Sequence, residues 1–410
     1  MQYGCIGEHL PHSFSKEIHA LLGEYPYELQ ELRPDEVGAF LTARDFRAVN
    51  VTIPYKQAVI PYLDRISDTA RAVGAVNTVV NRNGVLWGHN TDYAGLDALA
   101  RRVGVSFRDK KVLILGTGGT SKTALAAARD AGASSVLRVS RTGREGALTY
   151  GEALRSHTDA QIIVNTTPCG MYPQIGECPL ALERFIRLEG VLDAVYNPLR
   201  TRLVQQAAAL GVPAAGGLYM LVAQAVRASE LFRDVTVPDG TAERVFDALL
   251  RQKENVVLIG MPGSGKSTVG ALLSEQLGRP FYDTDDLVMR QCGCTPEQII
   301  RTEGEEAFRT AEGTVIARLA VISGAVIATG GGAVLRGENV QALRQNGRLF
   351  WLDGPVSRLQ PTADRPLTDT PERLRQRYAE RYDAYRTAAD VHIYAASTPE
   401  SCAAAIRAVL

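Results

Sequence analysis

Short apolar runs alternate with longer amphipathic stretches along most of the 410 residues. Runs of three or four apolar residues are typical of strands buried on both faces of a parallel sheet, and the stretches between them are typical of crossover helices. The runs that predict buried strands are Val112 to Leu115, Val136 to Val139, Ile162 to Val164, Val191 to Asp193, Val256 to Ile259, Val326 to Ala328 and Leu349 to Leu352. The pattern predicts an α/β protein with at least two separate parallel sheets.

A domain boundary is predicted near residue 250. The helical pattern Ala242 to Leu250 is followed by the polar run Arg251 to Asn255, which we expect to be a short linker into the next strand. The Ala-rich stretch Ala395 to Ala408 predicts a closing amphipathic helix. At about 100 to 200 residues per domain, the length allows two to four domains.

Charge and cysteine usage narrow the class of protein. Lys plus Arg and Asp plus Glu are 45 each, so no global field attracts nucleic acid or an anionic membrane. The six cysteines form no Cys-x-x-Cys pair, and neither a leader nor an apolar run of about 18 residues is visible. We expect a reduced, cytoplasmic protein with no nucleic acid or membrane partner, and the sequence leaves open whether it is a monomer or a homodimer.

The segment Gly260-Met-Pro-Gly263-Ser264-Gly265-Lys266-Ser267 joins a predicted strand to a helix predicted to begin near Thr268. Such a loop wraps phosphates with its backbone N–H groups, while the lysine reaches the outer phosphates and the serine hydroxyl ligates Mg²⁺. The residues predicted to bind the nucleotide are Gly263, Ser264, Gly265, Lys266, Ser267 and Thr268. The loop by itself indicates nucleotide binding without naming the reaction.

A second glycine turn, with Gly116, Gly118 and Gly119, also follows a predicted strand. Together with the Ala-rich helix after it and the next strand, this turn is typical of a dinucleotide-binding unit, although Ser121 replaces the third glycine. The second strand ends in Ser140-Arg141-Thr142, where an NAD site would carry an acid. A guanidinium at this point favours a 2′-phosphate, and hence NADP.

Seven ordered segments of the first 250 residues resemble the shikimate dehydrogenase family. They are His12-Ser13-Phe14-Ser15, Asn50 to Lys56, Ala75 to Thr78, Gly88 to Asp92, Asn165 to Pro168, Asp193 to Pro198 and Gly217 to Gln224. The resemblance implies that Lys56 and Asp92 are the catalytic acid/base pair, which suits the reduction of a ketone. It implies that substrate is bound by Ser13, Ser15, Thr52, Asn77, Tyr196 and Gln224, with Thr166, Val195 and Gly217 added to the NADP site.

The last 157 residues, from about 254 onward, resemble shikimate kinase in the phosphate loop and in four further segments: Phe281 to Asp285, Phe308 to Glu312, Gly330 to Val334 and Ala363 to Leu367, followed by Arg381. The resemblance implies that Asp283 supports Mg²⁺ and that Asp285, expected two residues on in the same strand, orients the acceptor hydroxyl. It implies that Arg309 and Arg381 clamp a carboxylate beside Gly330, Gly331 and Gly332, and that Arg365 acts on ATP from a lid over 357–370.

The sequence thus predicts a dehydrogenase half with an α/β substrate domain and a Rossmann NADP domain, followed by a P-loop kinase domain with a parallel sheet. The expected bounds are 1–96 plus 218–252, 97–217 and 254–410. Expected activities are NADPH-dependent reduction of 3-dehydroshikimate and ATP-dependent phosphorylation of shikimate. Two alternatives stay open: a quinate-type dehydrogenase joined to a gluconate or nucleoside monophosphate kinase, and a half that binds nucleotide without catalysis.

Overall fold

The computed structural model describes residues 1–10, 13–144, 146–359, 370–394 and 398–410. The chain divides into two compact units, Met1–Leu249 and Leu250–Leu410. Among the described residues, no helix combines the length and the apolar character needed to cross a membrane.

The first sheet of the first unit is six-stranded and mixed, with strand order β2-β1-β3-β5-β6-β4. Its strands are β1 (Tyr3–Gly7), β2 (Tyr27–Glu31), β3 (Ala48–Val51), β4 (Arg65–Ile66), β5 (Thr78–Arg82) and β6 (Val85–His89). The helices within this stretch are α1 (Ser15–Leu22), α2 (Val37–Ala43), α3 (Asp68–Val73) and α4 (Asp92–Arg102). β5 runs antiparallel to both β3 and β6, so β3 and β6 run in the same direction. Their carboxyl ends, which lead to Lys56 and to the segment after His89, therefore lie at the same end of the sheet.

The second sheet is wholly parallel, with strand order β12-β11-β10-β7-β8-β9. Its strands are β7 (Lys111–Leu115), β8 (Ser135–Ser140), β9 (Leu148–Thr149), β10 (Ile162–Asn165), β11 (Gly190–Asp193) and β12 (Ala214–Ala215). The helices are α5 (Gly119–Asp130), α6 (Tyr150–Ser156), α7 (Arg202–Ala209), α8 (Leu218–Arg233) and α9 (Thr241–Lys253). Alternate residues of β7 pack into different hydrophobic cores. Val112 and Ile114 belong to one core, and Leu113 and Leu115 belong to the other, as expected of a strand covered on both faces.

The second unit contains a five-stranded parallel sheet of order β14-β15-β13-β16-β17. Its strands are β13 (Asn255–Ile259), β14 (Phe281–Asp283), β15 (Val326–Ala328), β16 (Gly347–Asp353) and β17 (Val391–Tyr394). The helices are α10 (Lys266–Leu277), α11 (Thr284–Cys292), α12 (Pro296–Glu303), α13 (Glu305–Leu319), α14 (Gly337–Asn346), α15 (Pro371–Ala388) and α16 (Pro399–Arg407). The parallel sheets of both units confirm the predicted α/β class, and each predicted strand is present.

The polar run Arg251 to Asn255 is not a loop. Arg251 to Lys253 end α9 and Asn255 begins β13, so only Glu254 lies between the helix and the strand. Asn255 is 2% exposed, and its carboxamide donates to Ile322 O (2.7 Å) and accepts from Ala325 N (2.8 Å). A polar side chain satisfied by backbone groups explains why a run that suggested a linker contributes to ordered elements.

Candidate active sites

Lys56 and Asp92 form a buried ion pair in the first unit. Lys56 follows β3, and Asp92 is the first residue of α4. Lys56 Nζ lies 2.6 Å from Asp92 Oδ2, and the two side chains are 14% and 9% exposed. A carboxylate that holds an ammonium in this way can orient it towards a developing alkoxide.

Asn77 holds the other oxygen of this carboxylate. Its Nδ2 donates to Asp92 Oδ1 at 2.9 Å, and Gln224 Oε1 lies 3.4 Å from the same nitrogen. The backbone N–H of Thr91 donates to Asn77 Oδ1 at 2.7 Å, which sets the orientation of the amide. Asp92 is therefore fixed through both oxygens, so the direction of the Lys56 ammonium is fixed as well.

A cavity of about 180 Å³ opens beside this pair. The predicted substrate residues that line it are Ser15, Thr52, Lys56, Asn77, Asp92, Tyr196 and Gln224. Ser13 is adjacent, because its hydroxyl donates to Ser15 Oγ at 3.1 Å. Burial raises the pKa of Tyr196 to about 12, which keeps its hydroxyl a neutral hydrogen-bond donor. Many polar groups around so small a volume suit a compact, hydroxylated ligand.

A larger cavity of about 930 Å³ adjoins the first, and both are lined by Lys56, Thr120 and Thr166. Of the predicted cofactor residues, this larger cavity is lined by Gly116, Gly118, Gly119, Ser140, Arg141 and Thr166. Val195 and Gly217 line the smaller cavity instead, and the described residues that line the two cavities do not include Thr142.

The larger cavity has the features of a dinucleotide cradle. Gly116 has φ +114°, and a Cβ there would lie 2.7 Å from Thr166 Oγ1, so glycine is needed for this close approach. Gly118 precedes α5, which is twelve residues long, so the helix N-terminus faces the turn where a pyrophosphate would bind. Arg141 lines the wall at the end of β8 and is available to a 2′-phosphate. These residues fit NADP.

Sequence reasoning missed Tyr150 and Glu177, which also line the larger cavity. Burial raises the pKa of Tyr150, and the Arg141 charge opposes that shift, which indicates that the two side chains are near each other. Tyr150 is the first residue of α6, whose start is marked by a capping box of Thr149 and Glu152. That Thr-x-x-Glu spacing locates the helix start from sequence, although it does not identify the cavity.

In the second unit, the phosphate loop has the expected form. Gly263 and Gly265 adopt φ +80° and +85°, and α10 begins at Lys266. Lys266 is 8% exposed, and its Nζ donates to Gly260 O (2.9 Å) and Met261 O (2.8 Å). The Lys266 ammonium therefore lies inside the loop, within reach of a phosphate bound there.

Ser267 and Asp283 supply the oxygen atoms that fit Mg²⁺. Ser267 Oγ donates to Asp283 Oδ2 at 2.6 Å, which brings a hydroxyl and a carboxylate to one point beside the phosphate loop. Mg²⁺ prefers such oxygen ligands and takes others from water and from substrate phosphates.

The prediction that Asp285 lies in the same strand as Asp283 is wrong. β14 ends at Asp283, whose side chain caps α11 by accepting from Asp285 N at 2.9 Å, and Asp285 lies in the first helical turn. An aspartate at a helix N-cap satisfies an otherwise unpaired N–H, and this ends the strand two residues earlier than expected. Asp285 nevertheless reaches the site, because a Cβ on Gly330 would lie 2.8 Å from its Oδ1.

Two buried arginines face the glycine turn Gly330 to Gly332. Arg309 and Arg381 are 7% and 3% exposed, and Arg381 Nη1 donates to Gly331 O at 2.9 Å. A Cβ on Gly332 would lie 2.2 Å from Arg309 Nη2, so the glycines leave room for the protein's own arginine as well as for a ligand. Burial lowers the pKa of Arg381, and the charges of Arg309 and Arg377 act in the same direction, so the site attracts an anion.

Glu312 has no role in the sequence-based predictions, yet it is fully buried beneath Arg309. Its Oε2 lies 2.8 Å from Arg309 Nη1, and Glu305 Oε1 lies 3.2 Å from Nη2. Burial raises the pKa of Glu312, with Arg309 opposing the shift. The Arg-x-x-Glu spacing of a helical pair was visible in the sequence, but its burial was not. The predicted residue Arg365, residues 360–369 of the predicted lid and His12 of the first motif segment lie outside the described residues.

The folds and sites define a nucleotide-dependent α/β enzyme with two centres, an oxidoreductase unit followed by a P-loop phosphotransferase unit. Residues 5–79 match the family model of the shikimate dehydrogenase substrate binding domain, and residues 262–410 match that of shikimate kinase. The chain belongs to the shikimate dehydrogenase family in its first part and carries a shikimate kinase domain in its second. This confirms the resemblances found in the motifs.

Relatives of the first part are similar over nearly their whole length. An NADP(+) shikimate dehydrogenase of Clostridium perfringens (strain SM101 / Type A) is 34% identical over 265 residues, which are 60% of this chain and 97% of the relative. The NADP(+) shikimate dehydrogenase of Geobacillus kaustophilus is 38% identical, and the match covers 56% of this chain and 91% of that relative.

Two solved structures also resemble the first part. A chorismate mutase/shikimate 5-dehydrogenase fusion protein from Clostridium acetobutylicum has a TM-score of 0.57 and 32% identity, and the match covers 60% of this chain and 96% of that one. Shikimate 5-dehydrogenase from Thermus thermophilus, in complex with NADP(H) and shikimate, has a TM-score of 0.55 and 30% identity, covering 60% and 99%.

Proposed function

We propose that the chain catalyses two consecutive reactions: NADPH-dependent reduction of 3-dehydroshikimate to shikimate, and ATP-dependent phosphorylation of shikimate to shikimate 3-phosphate. In this proposal, residues 1–96 with 218–252 bind the first substrate, residues 97–217 bind NADP, and residues 254–410 form the kinase. The observation that carries the reductase is the Lys56–Asp92 pair, because both residues line the small cavity and Lys56 also lines the large one.

In the reductase, Ser13 and Ser15 bind the substrate carboxylate, while Thr52, Asn77, Tyr196 and Gln224 bind hydroxyls and ring. The larger cavity would hold NADPH, which would supply the hydride when bound. Lys56 donates the proton to the oxygen of the reacting ketone, and Asp92 keeps the ammonium aimed at that oxygen and compensates its charge. Two hydrogen-bonded oxygens on Asp92 make this aim rigid.

In the kinase, Arg309 and Arg381 hold the acceptor carboxylate, and bidentate guanidinium contacts fix both its position and its orientation. Asp285 accepts from the attacking hydroxyl. Lys266 and the loop N–H groups stabilise the transferring phosphoryl group, with Mg²⁺ held through Ser267 and Asp283. The buried arginine pair beside the phosphate loop favours an acidic acceptor over a neutral polyol.

The order of the reactions follows from the chemistry. The hydroxyl formed by reduction of the ketone is the one that accepts the phosphoryl group. The direct test incubates the protein with 3-dehydroshikimate, NADPH and ATP–Mg²⁺ and follows NADPH loss, ADP formation and free shikimate together. ADP formation that requires both 3-dehydroshikimate and NADPH, or added shikimate alone, supports the proposal.

Other outcomes would point to the alternatives. Oxidation of quinate with NAD, or faster phosphorylation of gluconate or a nucleoside monophosphate than of shikimate, would replace one of the proposed substrates. Binding of ATP without acceptor-dependent ADP formation would make the second unit a nucleotide-binding module.

A further inference from the structure

The glycine turn and the phosphate loop are in direct contact in the second unit. A Cβ on Gly331 would lie 2.5 Å from Pro262 Cδ, so the backbone of the turn rests on the proline ring of the loop. The turn belongs to the proposed acceptor site and the loop to the proposed donor site. Their contact therefore fixes how far apart the two proposed sites lie.

Tyr385 lies beneath this contact. The residue is in α15, is 1% exposed, and stacks on Trp351 with ring centroids 5.8 Å apart. Its hydroxyl donates to Gly331 O and lies 3.8 Å from Met261 Sδ. Met261 O in turn accepts from Lys266 Nζ at 2.8 Å. The Tyr385 hydroxyl thus contacts both the glycine turn and Met261, whose carbonyl accepts a hydrogen bond from Lys266.

The same carbonyl also orients Arg381. Arg381 precedes Tyr385 by one helical turn, and its Nη1 donates to Gly331 O at 2.9 Å. Among the described residues, Arg381 Nε and Nη2 are buried without a hydrogen-bond partner. Because one nitrogen is held by Gly331 O, rotation of the guanidinium is restricted, and the remaining N–H groups are left for a ligand carboxylate.

We propose that Tyr385 is a positioning residue for phosphoryl transfer: its hydroxyl holds Gly331 against the phosphate loop and thereby fixes both the aim of Arg381 and the distance from acceptor to donor. Burial raises the pKa of Tyr385 to about 12, so the hydroxyl is a neutral donor in this role. The inference rests on the proposed kinase function. It adds a residue that touches neither reactant.

The test is Tyr385→Phe, which keeps the ring and its stacking on Trp351. We expect kcat/KM for shikimate to fall by about 5-fold to 20-fold, which is the range of one lost hydrogen bond with some loss of alignment. The dissociation constant of ATP–Mg²⁺, measured by calorimetry, should stay within about twofold, because the lysine and the loop N–H groups are unchanged. Tyr382→Phe is the matched control, since Tyr382 lies on the same helix and packs edge-on against Trp351 at 5.3 Å. It should behave as wild type.

Three results would overturn the inference: unchanged acceptor kinetics in Tyr385→Phe, an equal loss of ATP affinity, or the same loss in Tyr382→Phe. If Tyr385→Phe melts far below wild type, 4-aminophenylalanine incorporated at position 385 restores a donor and should restore acceptor turnover. Failure of that rescue in a folded protein would also contradict the inference. Wild-type protein that does not phosphorylate shikimate would instead contradict the proposed kinase function, so the two failures are distinguishable.

Discussion

Lys56 Nζ and Asp92 Oδ2 are 2.6 Å apart although 36 residues separate them in the chain, and both side chains are almost fully buried. The ammonium points into a cavity lined by hydroxyl and amide groups. A lysine oriented in this way suits the proton donor of the proposed reduction, whereas most lysines on a protein surface are solvated charges.

Replacement of Lys56 should therefore affect only the reductase. We expect Lys56→Ala to lower the rate of 3-dehydroshikimate reduction by about 10²-fold to 10⁴-fold, the usual loss for an acid/base group, with shikimate phosphorylation unchanged. Lys111→Ala is a matched control, because Lys111 forms an ion pair with the half-exposed Asp159 away from the cavities. Equal loss of both activities in a folded variant would contradict two independent sites.

Lys266 makes the converse prediction. Its Nζ is held by two carbonyls of the phosphate loop, ready to bind the outer phosphates. Lys266→Ala should stop shikimate-dependent ADP formation and leave NADPH oxidation by 3-dehydroshikimate at the wild-type rate. Parallel assays on one preparation measure both. Substantial residual phosphorylation would show that the lysine is not required for charge stabilisation.

The two parallel sheets could be predicted from sequence because their strands are continuous apolar runs buried on both faces. The first sheet could not. Its edge strand β2 reads Tyr-Glu-Leu-Gln-Glu, and every side chain after Tyr27 is partly or fully exposed, so polar residues are tolerated and no apolar run marks the strand. The proposed catalytic residues beside that sheet could be predicted only from motif resemblance, since Lys56 follows β3 and Asp92 follows β6, two strands that are far apart in sequence.

Other parts of the sites depend on contacts that local patterns do not encode. The strand predicted to contain Asp285 ends at Asp283, because the Asp283 side chain caps the helix that follows. Glu312 and Tyr385 look like ordinary helical residues in sequence, and their roles arise only when α13 and α15 pack beside the glycine turn. Sequence reasoning misses side chains that hydrogen-bond to the backbone of another helix or strand, or that pair with a buried charge.

Gly332 allows a sharp test of the arginine site. A Cβ at this position would lie 2.2 Å from Arg309 Nη2, so Gly332→Ala must displace the guanidinium. We expect the KM for shikimate to rise at least about tenfold, as loss of a bidentate contact implies, with little change in ATP affinity. Gly337→Ala is the control, because no atom lies within 4 Å of a Cβ there. Similar kinetics for the two variants would contradict the close packing of Arg309 against Gly332.

Arg141 should determine the choice of nicotinamide cofactor. It lines the larger cavity at the end of β8, where a 2′-phosphate would be bound. We expect Arg141→Gln to weaken NADPH binding by about 10-fold to 100-fold, the loss of one charge-assisted pair, and to leave NADH binding almost unchanged. Fluorescence titration with each cofactor measures this directly. Equal weakening for NADPH and NADH would show that Arg141 does not recognise the extra phosphate.

His19 should make the first unit sensitive to acid. The ring is fully buried, stacks on Tyr27 with centroids 3.8 Å apart, and its Nδ1 lies 2.5 Å from Tyr25 Oη. Burial lowers the pKa of His19 from 6.5 to about 3, so the folded state keeps the ring neutral where the unfolded state binds a proton. The stabilisation is therefore present above pH 6.5 and is lost as the pH falls towards 3, by about 1.4 kcal/mol per pH unit.

His19→Phe keeps the stacking and removes the titration, so hydrogen exchange of α1 in urea should show a pH slope smaller by about one proton. His392→Phe, a half-exposed ring in the second unit, should leave that slope unchanged, and an unaltered slope in His19→Phe would assign the acid sensitivity to other groups.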